Sequence, residues 1–332
     1  MRIEIHEEPS NAVWDKIVAA AEACGVYHQS GWLEALASAS KLSVSRIVVD
    51  IDQTPSIAFP LCLKRIGPVS ACLSPPPRMG LEYLGPLLEH ELNESPKKEK
   101  YRLEAMNRLI DWIQERFRPG LVYVRTAPLI RDLRPFSWRG YRVHPLYTYL
   151  MDLPTRDEQL LGSFDRTVRS DITRTEAKVE VRQGGRELVR HIHSFVAARY
   201  RASGETFGPT LSYLTKLYDV LGPESFQPIG AYTERGLEAG AIVTCHAGWA
   251  AYWQGGTASD HSRLPLTTQL IWHAIRLARD RGCSKFELVG ANTRRLISFK
   301  SKFGLALEPF FEASLASGPS RLALATHRLL RG

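Results

Sequence analysis

The sequence predicts an α+β protein made of two copies of one unit. Three observations carry that prediction. The first is a repeated order of elements: strands 44–51 and 57–66 precede helix 103–117 and strand 121–125, and strands 226–232, 240–246 and 250–255 precede helix 266–281 and strand 286–289. Each half reads as an antiparallel meander, a helical crossover and a returning strand. The second is length, since 332 residues is long for one core and points to about two domains. The third is composition. With 44% hydrophobic and 23% charged residues the chain is globular, which excludes a disordered chain or a fibre.

Val13–Ala23 reads as a helix with Ser10 or Asn11 as its cap, and Val26–Ser38, holding Gln29, Ser30 and Trp32, as a second short helix. The β-branched run Val44–Ile51 and Ile57–Ile66 read as strands, and Ser74–Pro77 with Arg78 as a proline-rich loop. Glu94–Lys100 is a solvated charged run. Apolar residues at 103, 106, 109, 110, 113 and 117 form one helical stripe, and Leu121–Arg125 is a short strand after it. Leu146–Leu153 is strand-like, Asp157–Thr175 a single helix and Val179–Arg182 a strand. Leu188–Tyr200 and Leu211–Leu221 are helices. The strongest helix is Leu266–Arg281, with Pro265 at its start and Gly282 as its C-terminal stop. Phe286–Val289 is a strand and Leu296–Phe303 a short helix.

Composition also bounds function. Lys and Arg number 43 against 35 acids, a formal charge of +8, which suits a polyanion such as RNA but is no argument for one. The five cysteines (Cys24, Cys62, Cys72, Cys245, Cys283) form no CxxC pair, so zinc-ribbon and thioredoxin-like chemistry lose support and reduced thiols in a cytoplasm are expected. The N-terminal MRIEIHEEPS has no apolar signal core, and no run of about 18 apolar residues predicts a membrane span. No metal site is expected: His191 and His193 do not share a helix face. Asp260–His261–Ser262 reads as a turn rather than a triad. Neither GxGxxG nor a Walker A loop occurs, and Gln254–Pro265 lacks the compact Q/RxxGxG/A loop that holds the pyrophosphate of acetyl-CoA at a helix N-terminus.

Two helices carry charge where it invites chemistry. With Leu296 at 0°, Phe299 falls near −60°, Phe303 near −20°, Lys300 near +40° and Ile297 near +100°, so Lys300 sits inside an apolar stripe. A lysine there snorkels, pairs with an acid, or faces a cleft. In helix 157–175, Leu160, Leu161, Phe164, Val168 and Ile172 fill one arc, with Arg166 and Arg169 opposite and Arg174 on the flank. Such a row either holds phosphates or is a solvated face neutralised by Asp165, Asp171 and Glu176.

The order of RTVRSDITRTEAKVEV, YWQGGTAS, P-x4-LIWHAI with its Gly282-ended helix, FELVGAN and SFKSKFG resembles the Fem-type peptidyltransferases, the FemABX group of the GNAT superfamily, with the related acetyltransferase 6 proteins. The resemblance is strongest over 146–311. Near the N-terminus HQSGWLEAL resembles the family's Q-S-x-x-W segment, one residue shorter. It implies tandem GNAT-like (acyl-CoA N-acyltransferase-like) domains with mixed central sheets flanked by helices: 1–145, 146–312, and a tail 313–332 returning to the first domain. It further implies transfer of an aminoacyl group from aminoacyl-tRNA to an amine acceptor, small or peptidyl, on a peptidoglycan precursor. No cofactor is implied beyond that co-substrate, and the place is the cytoplasm. Phe299 and Lys300 match the family's Phe-Lys pair near the reacting ester, and Arg169 matches its helix arginine. Tyr213 and Trp32 join the substrate-binding set through the matched segments, with Tyr252, Trp253 and Asn292 lining the cleft. Core packing for the two aromatics and turn capping for Asn292 are the alternatives. The chain departs from strict Fem enzymes in having Pro209, not arginine, four residues before Tyr213, and in lacking the coiled-coil arm. Two other functions remain open: an N-acyltransferase using acyl-CoA, and a non-catalytic GNAT pair that binds RNA or protein.

Overall fold

A computed structural model describes residues 1–21, 25–66, 69–153, 156–258 and 264–317. Cys24, Asp260–Ser262 and the tail beyond 317 lie outside the described residues. The chain forms two compact units, Met1–Leu146 with Pro309–Gly332, and Tyr147–Glu308.

Unit 1 contains β1 (Ile3–Glu7), α1 (Asn11–Ala20), α2 (Ser30–Ser40), β2 (Ser43–Ile51), β3 (Thr54–Ile66), β4 (Val69–Ser74), β5 (Leu87–Leu88), α3 (His90–Glu94), α4 (Glu99–Phe117), β6 (Leu121–Arg125) and α5 (Arg134–Trp138). Ser10 caps α1 through the Val13 amide. The charged run 94–100 is mostly exposed, as expected, and α4 begins within it, its acidic first turn favouring the positive end of the helix dipole. The strands run β1-β2-β3-β4-β6. All pairs are antiparallel except β4 with β6, which α4 joins as a parallel crossover. The end of β13 (Ala306–Ala316) lies antiparallel to β6, from Glu312↔Arg125 to Ala316↔Leu121.

Unit 2 repeats the plan. It contains the end of β7 (Arg142–Asp152), α6 (Asp157–Ser163), α7 (Arg166–Thr175), β8 (Glu180–Gln183), α8 (Arg186–Ala202), α9 (Leu211–Ser225), β9 (Phe226–Thr233), β10 (Gly236–His246), β11 (Trp249–Thr257), α10 (Leu266–Asp280), β12 (Lys285–Leu288) and α11 (Arg294–Lys300). The strand order is β7-β12-β11-β10-β9-β8, with β11 and β12 the parallel pair. α10 buries Leu266, Leu270, Ile271, Ala274, Ile275 and Ala278 in a cluster with Ala241, Val243 and Cys245 of β10. The alternate β10 position Gly240 meets α8, since a Cβ there would lie 2.6 Å from Ile192 Cγ1. The sheet is thus covered on both faces, as the apolar runs of its central strands require.

The single helix expected over 157–175 is two. Phe164 adopts extended geometry, and Asp165 starts α7 afresh by accepting the Thr167 amide at 2.8 Å. α9 turns regularly only to Gly222, whose φ of 70° precedes Pro223. Among the described residues no helix is long and apolar enough to cross a membrane. The described cysteines are buried thiols, and burial pushes those of Cys62 and Cys72 up to about 12.

Candidate active site

The site of unit 2 begins as a defect in its sheet. β11 and β12 pair from Trp249↔Lys285 to Tyr252↔Leu288, where β12 stops. β11 continues to Thr257 with β10 along its other edge, and the β10 register slips at Ile242/Val243 so that Trp253 is left over as a bulge. Two parallel strands that part in this way open a fork. Beyond Tyr252 the β12 ladder no longer runs along β11.

Lys300 reaches that fork. Its ammonium donates to the carbonyl of Val289, the first residue beyond the last ladder pair, and the side chain is half-buried. The lysine in the apolar stripe thus caps main chain at the end of β12. Gly290 makes room for it. A Cβ there would lie 2.9 Å from Lys300 Nζ, and the φ of 94° favours glycine in any case. Asn292 holds the same loop. Its Oδ1 accepts the Tyr147 amide at 2.9 Å and its Nδ2 donates to the Tyr147 carbonyl at 2.8 Å, so the side chain imitates one more residue of β12 against β7.

Phe299 sets the height of α11. It is half-buried and meets Phe303 edge-on at 5.3 Å; Phe303 in turn meets Phe164 at 5.6 Å, and Phe164 meets Trp272 of α10 at 5.9 Å. The α11 segment is also tied to α7, because the Asp165 amide donates to the Lys302 carbonyl at 2.8 Å. Gly304 allows this seat: a Cβ there would collide with the Ser163 carbonyl.

The other wall of the fork is YWQGG. Tyr252 is 7% exposed, and burial pushes its phenol well above the ordinary range, so it stays a neutral O–H group. Gly255 admits the Tyr252 hydroxyl, and Gly256 admits the α8 backbone at Phe195–Val196. Arg199 of α8 donates to the Gly255 carbonyl at 2.7 Å.

The structure thus brings Phe299, Lys300, Asn292 and Tyr252 to one end of β12. It treats the remaining expected residues differently. Arg169 is exposed on α7 and donates to the Phe164 carbonyl at 2.6 Å, which closes its own helix entry. Trp253 is 3% exposed and packs edge-on against Phe226 at 5.7 Å, as core. Tyr213 is 1% exposed in α9, where the Thr210 hydroxyl accepts its amide. Trp32 is fully buried in unit 1, edge-on to Tyr27, in a chain of edge-on rings that continues to Tyr83 and Phe310. Trp253, Tyr213 and Trp32 therefore pack rather than line a surface, because large aromatics gain most from complete burial. Val289, Gly290 and Arg199 went unforeseen. The G-A-N sequence after an apolar strand was the available signal for the first two; nothing in the sequence marks Arg199.

Among the described residues no group of His, Cys, Asp and Glu could hold a metal. Residues 162–301, which span the fork and Lys300, match the family model described as Acetyltransferase (GNAT) domain. No curated protein matches the chain. Among solved structures, FemX is similar with a TM-score of 0.73 at 13% identity, over 94% of this chain and 97% of that one. A tandem GNAT protein from the clavulanic acid biosynthesis pathway scores 0.56 at 13% identity, over 96% and 99%. L-PGS from Bacillus licheniformis scores 0.56 at 14% identity, over 99% and 98%.

Proposed function

We propose that this chain, an acyltransferase of GNAT fold, moves an aminoacyl group from aminoacyl-tRNA to an amine and so forms an amide bond. The observation that supports this reading most is the Lys300 ammonium on the Val289 carbonyl at the open end of β12. An ammonium held by a main-chain oxygen is exchangeable: a donor phosphate or a developing oxyanion is a stronger acceptor and draws it off. In the step itself the neutral amine attacks the ester carbonyl, its electron pair forms the C–N bond, and the carbonyl electrons move onto the oxygen. Lys300 donates to that oxyanion. As the oxygen re-forms its double bond, the ribose hydroxyl oxygen leaves with the ester electrons and takes up the proton the amine gives up. Tyr252, neutral and buried, shapes the wall, and Asn292 holds the loop that aims Val289 and Lys300.

Support from likeness is of two kinds. FemX has the highest TM-score of the three structures described above, and Phe299 and Lys300 match the Fem-type Phe-Lys pair in sequence. A second reading, transfer from acyl-CoA, draws on the acetyltransferase family match. Product masses separate the two. Incubation with aminoacyl-tRNA and a panel of amines gives an amine heavier by one aminoacyl residue; a product formed from acetyl-CoA alone, with none from charged tRNA, overturns the tRNA reading.

A further inference from the structure

The outward face of α7 takes no part in the chemistry above, yet it is built to one pattern. Val168, Ile172 and Thr175 are buried, while Arg166, Arg169, Ser170, Thr173 and Arg174 line one shallow concavity on the opposite side. Around the helix these five span about 140°, and from Arg166 to Arg174 they cover about 12 Å of its length. The basic surface continues onto the segment that carries the site. Asp165 is held below the usual carboxylate range first by hydrogen bonds from Thr167, and also by the charges of both Lys302 and Arg169, which places those two cations around one acid. That acid is already engaged as the α7 cap. Arg294 and Arg295 are exposed at the start of α11. Of the acids within α7, Asp171 is taken by Arg174 at 2.8 Å.

We propose that this face, Arg166, Arg169 and Arg174 of α7 with Lys302 beside them, docks the phosphodiester backbone of the RNA that carries the acyl group. The inference rests on the tRNA reading of the donor and adds where its body lies. The chemistry favours RNA over a lipid surface. Between the arginines stand Ser170, whose hydroxyl suits a phosphate oxygen, and Thr173, whose hydroxyl donates to the Arg169 carbonyl at 3.2 Å, and the α7 face holds no exposed apolar side chain to enter a bilayer. A length of about 12 Å suits several successive phosphates of one strand. The bond between the Asp165 amide and the Lys302 carbonyl ties this face to the segment bearing Lys300, so a docked backbone is held in fixed relation to the reacting end.

The test measures binding of uncharged, unfractionated tRNA to the full chain between 50 and 300 mM salt. The variants are Arg166→Gln/Arg174→Gln and the same pair with Lys302→Gln. Lys97→Gln/Lys100→Gln, exposed in unit 1, is the control. Each phosphate contact removed lowers the salt slope by about one, and the triple variant loses about tenfold or more in affinity at 0.1 M salt. Turnover of an aminoacyl ester of the short 3′-terminal trinucleotide, which lacks the RNA body, stays at the wild-type level in the double variant. A slope and affinity equal to wild type in the triple variant overturn the docking surface and leave the donor reading intact. Wild-type turnover of acetyl-CoA without any tRNA binding overturns the donor reading, and this inference with it. Salt-sensitive binding to vesicles containing phosphatidylglycerol, in place of tRNA, overturns the RNA assignment of the face. A loss in the control pair equal to that in the α7 variants shows only diffuse attraction and overturns the site.

Discussion

Both units build the same fork, and they fill it in opposite ways. In unit 1 the parallel pair β4/β6 ends at Ser74↔Val124; in unit 2 the pair β11/β12 ends at Tyr252↔Leu288. The next carbonyl along is Arg125 in the first and Val289 in the second. The Arg125 oxygen accepts the main-chain amides of Leu84 at 3.3 Å and Gly85 at 2.7 Å. The Val289 oxygen accepts the side chain of Lys300. The facing strands differ as well. β4 runs into Pro75, Pro76 and Pro77, which carry no N–H, whereas β11 runs on through Trp253–Thr257 with every amide present. A fork closed by backbone and faced by prolines has nothing to give a ligand. One closed by an ammonium on a flexible stem can exchange that bond. On the proposed role of Lys300 the duplicated unit keeps a structural copy and a reactive copy, and the difference lies in which group caps one carbonyl.

Removing each cap separates the two copies. Lys300→Ala is expected to lower turnover with a competent donor by about 10²–10³ while thermal unfolding moves little, because one oxyanion-type donor is lost and one half-buried hydrogen bond with it. Unchanged turnover would remove the chemical role. Gly85→Ala does the reverse. Its new Cβ would lie 2.5 Å from the Arg125 oxygen and 2.8 Å from the Thr126 Cα, so stability falls by about 1–3 kcal/mol in urea titration while turnover per folded molecule is preserved. If Gly85→Ala abolished turnover in protein shown to be folded, the structural role of the unit 1 fork would be wrong. Gly290→Ala falls between the two. Positive φ costs about 1–3 kcal/mol with a Cβ, and displacement of the Lys300 amine costs about 10- to 100-fold in rate. Asn292→Ala removes two hydrogen bonds to Tyr147 and is expected to cost about 1–3 kcal/mol, with a smaller loss of rate as the loop slackens.

How far this contrast could be read in advance follows from what local sequence encodes. α10 was legible to within a residue because Pro265 and Gly282 punctuate it. The duplication was legible because each crossover helix and its strands have their own periodicity. Lys300 could be placed in an apolar stripe, but its partner is a main-chain oxygen eleven residues away, and carbonyls carry no sequence signal. The fork at Tyr252 depends on where β12 stops and on a bulge at Trp253, both set by pairing between distant strands. The split of helix 157–175 could have been read from Asp165 ahead of Arg166–Thr167, a capping pattern hidden inside an otherwise continuous apolar arc. β4 escaped because it stops against prolines, and β13 because Pro309 and its exposed half blur the alternation. Trp32 and Tyr213 were placed by likeness of segments, and likeness did not reveal that their rings are fully enclosed.

The smallest expected effect distinguishes the crossover helices themselves. α10 carries His273 and α4 carries no histidine. Burial holds the His273 pKa below its ordinary value, Arg276 adds to the effect, and Asp280 opposes it. The sign follows from linkage. At pH above the unfolded value near 6.5 both states are neutral and His273 contributes nothing. As pH falls through that value, the unfolded chain takes up a proton that the folded chain resists, so stability is lost and continues to fall until pH passes below the folded value. Urea midpoints at pH 7.5 and pH 5 read this directly. His273→Gln should match wild type within error at pH 7.5, apart from a constant packing offset, and should lose less stability than wild type on going to pH 5. An equal loss in both proteins would mean that the acid sensitivity of the chain resides elsewhere and that α10 and α4 do not differ in this respect.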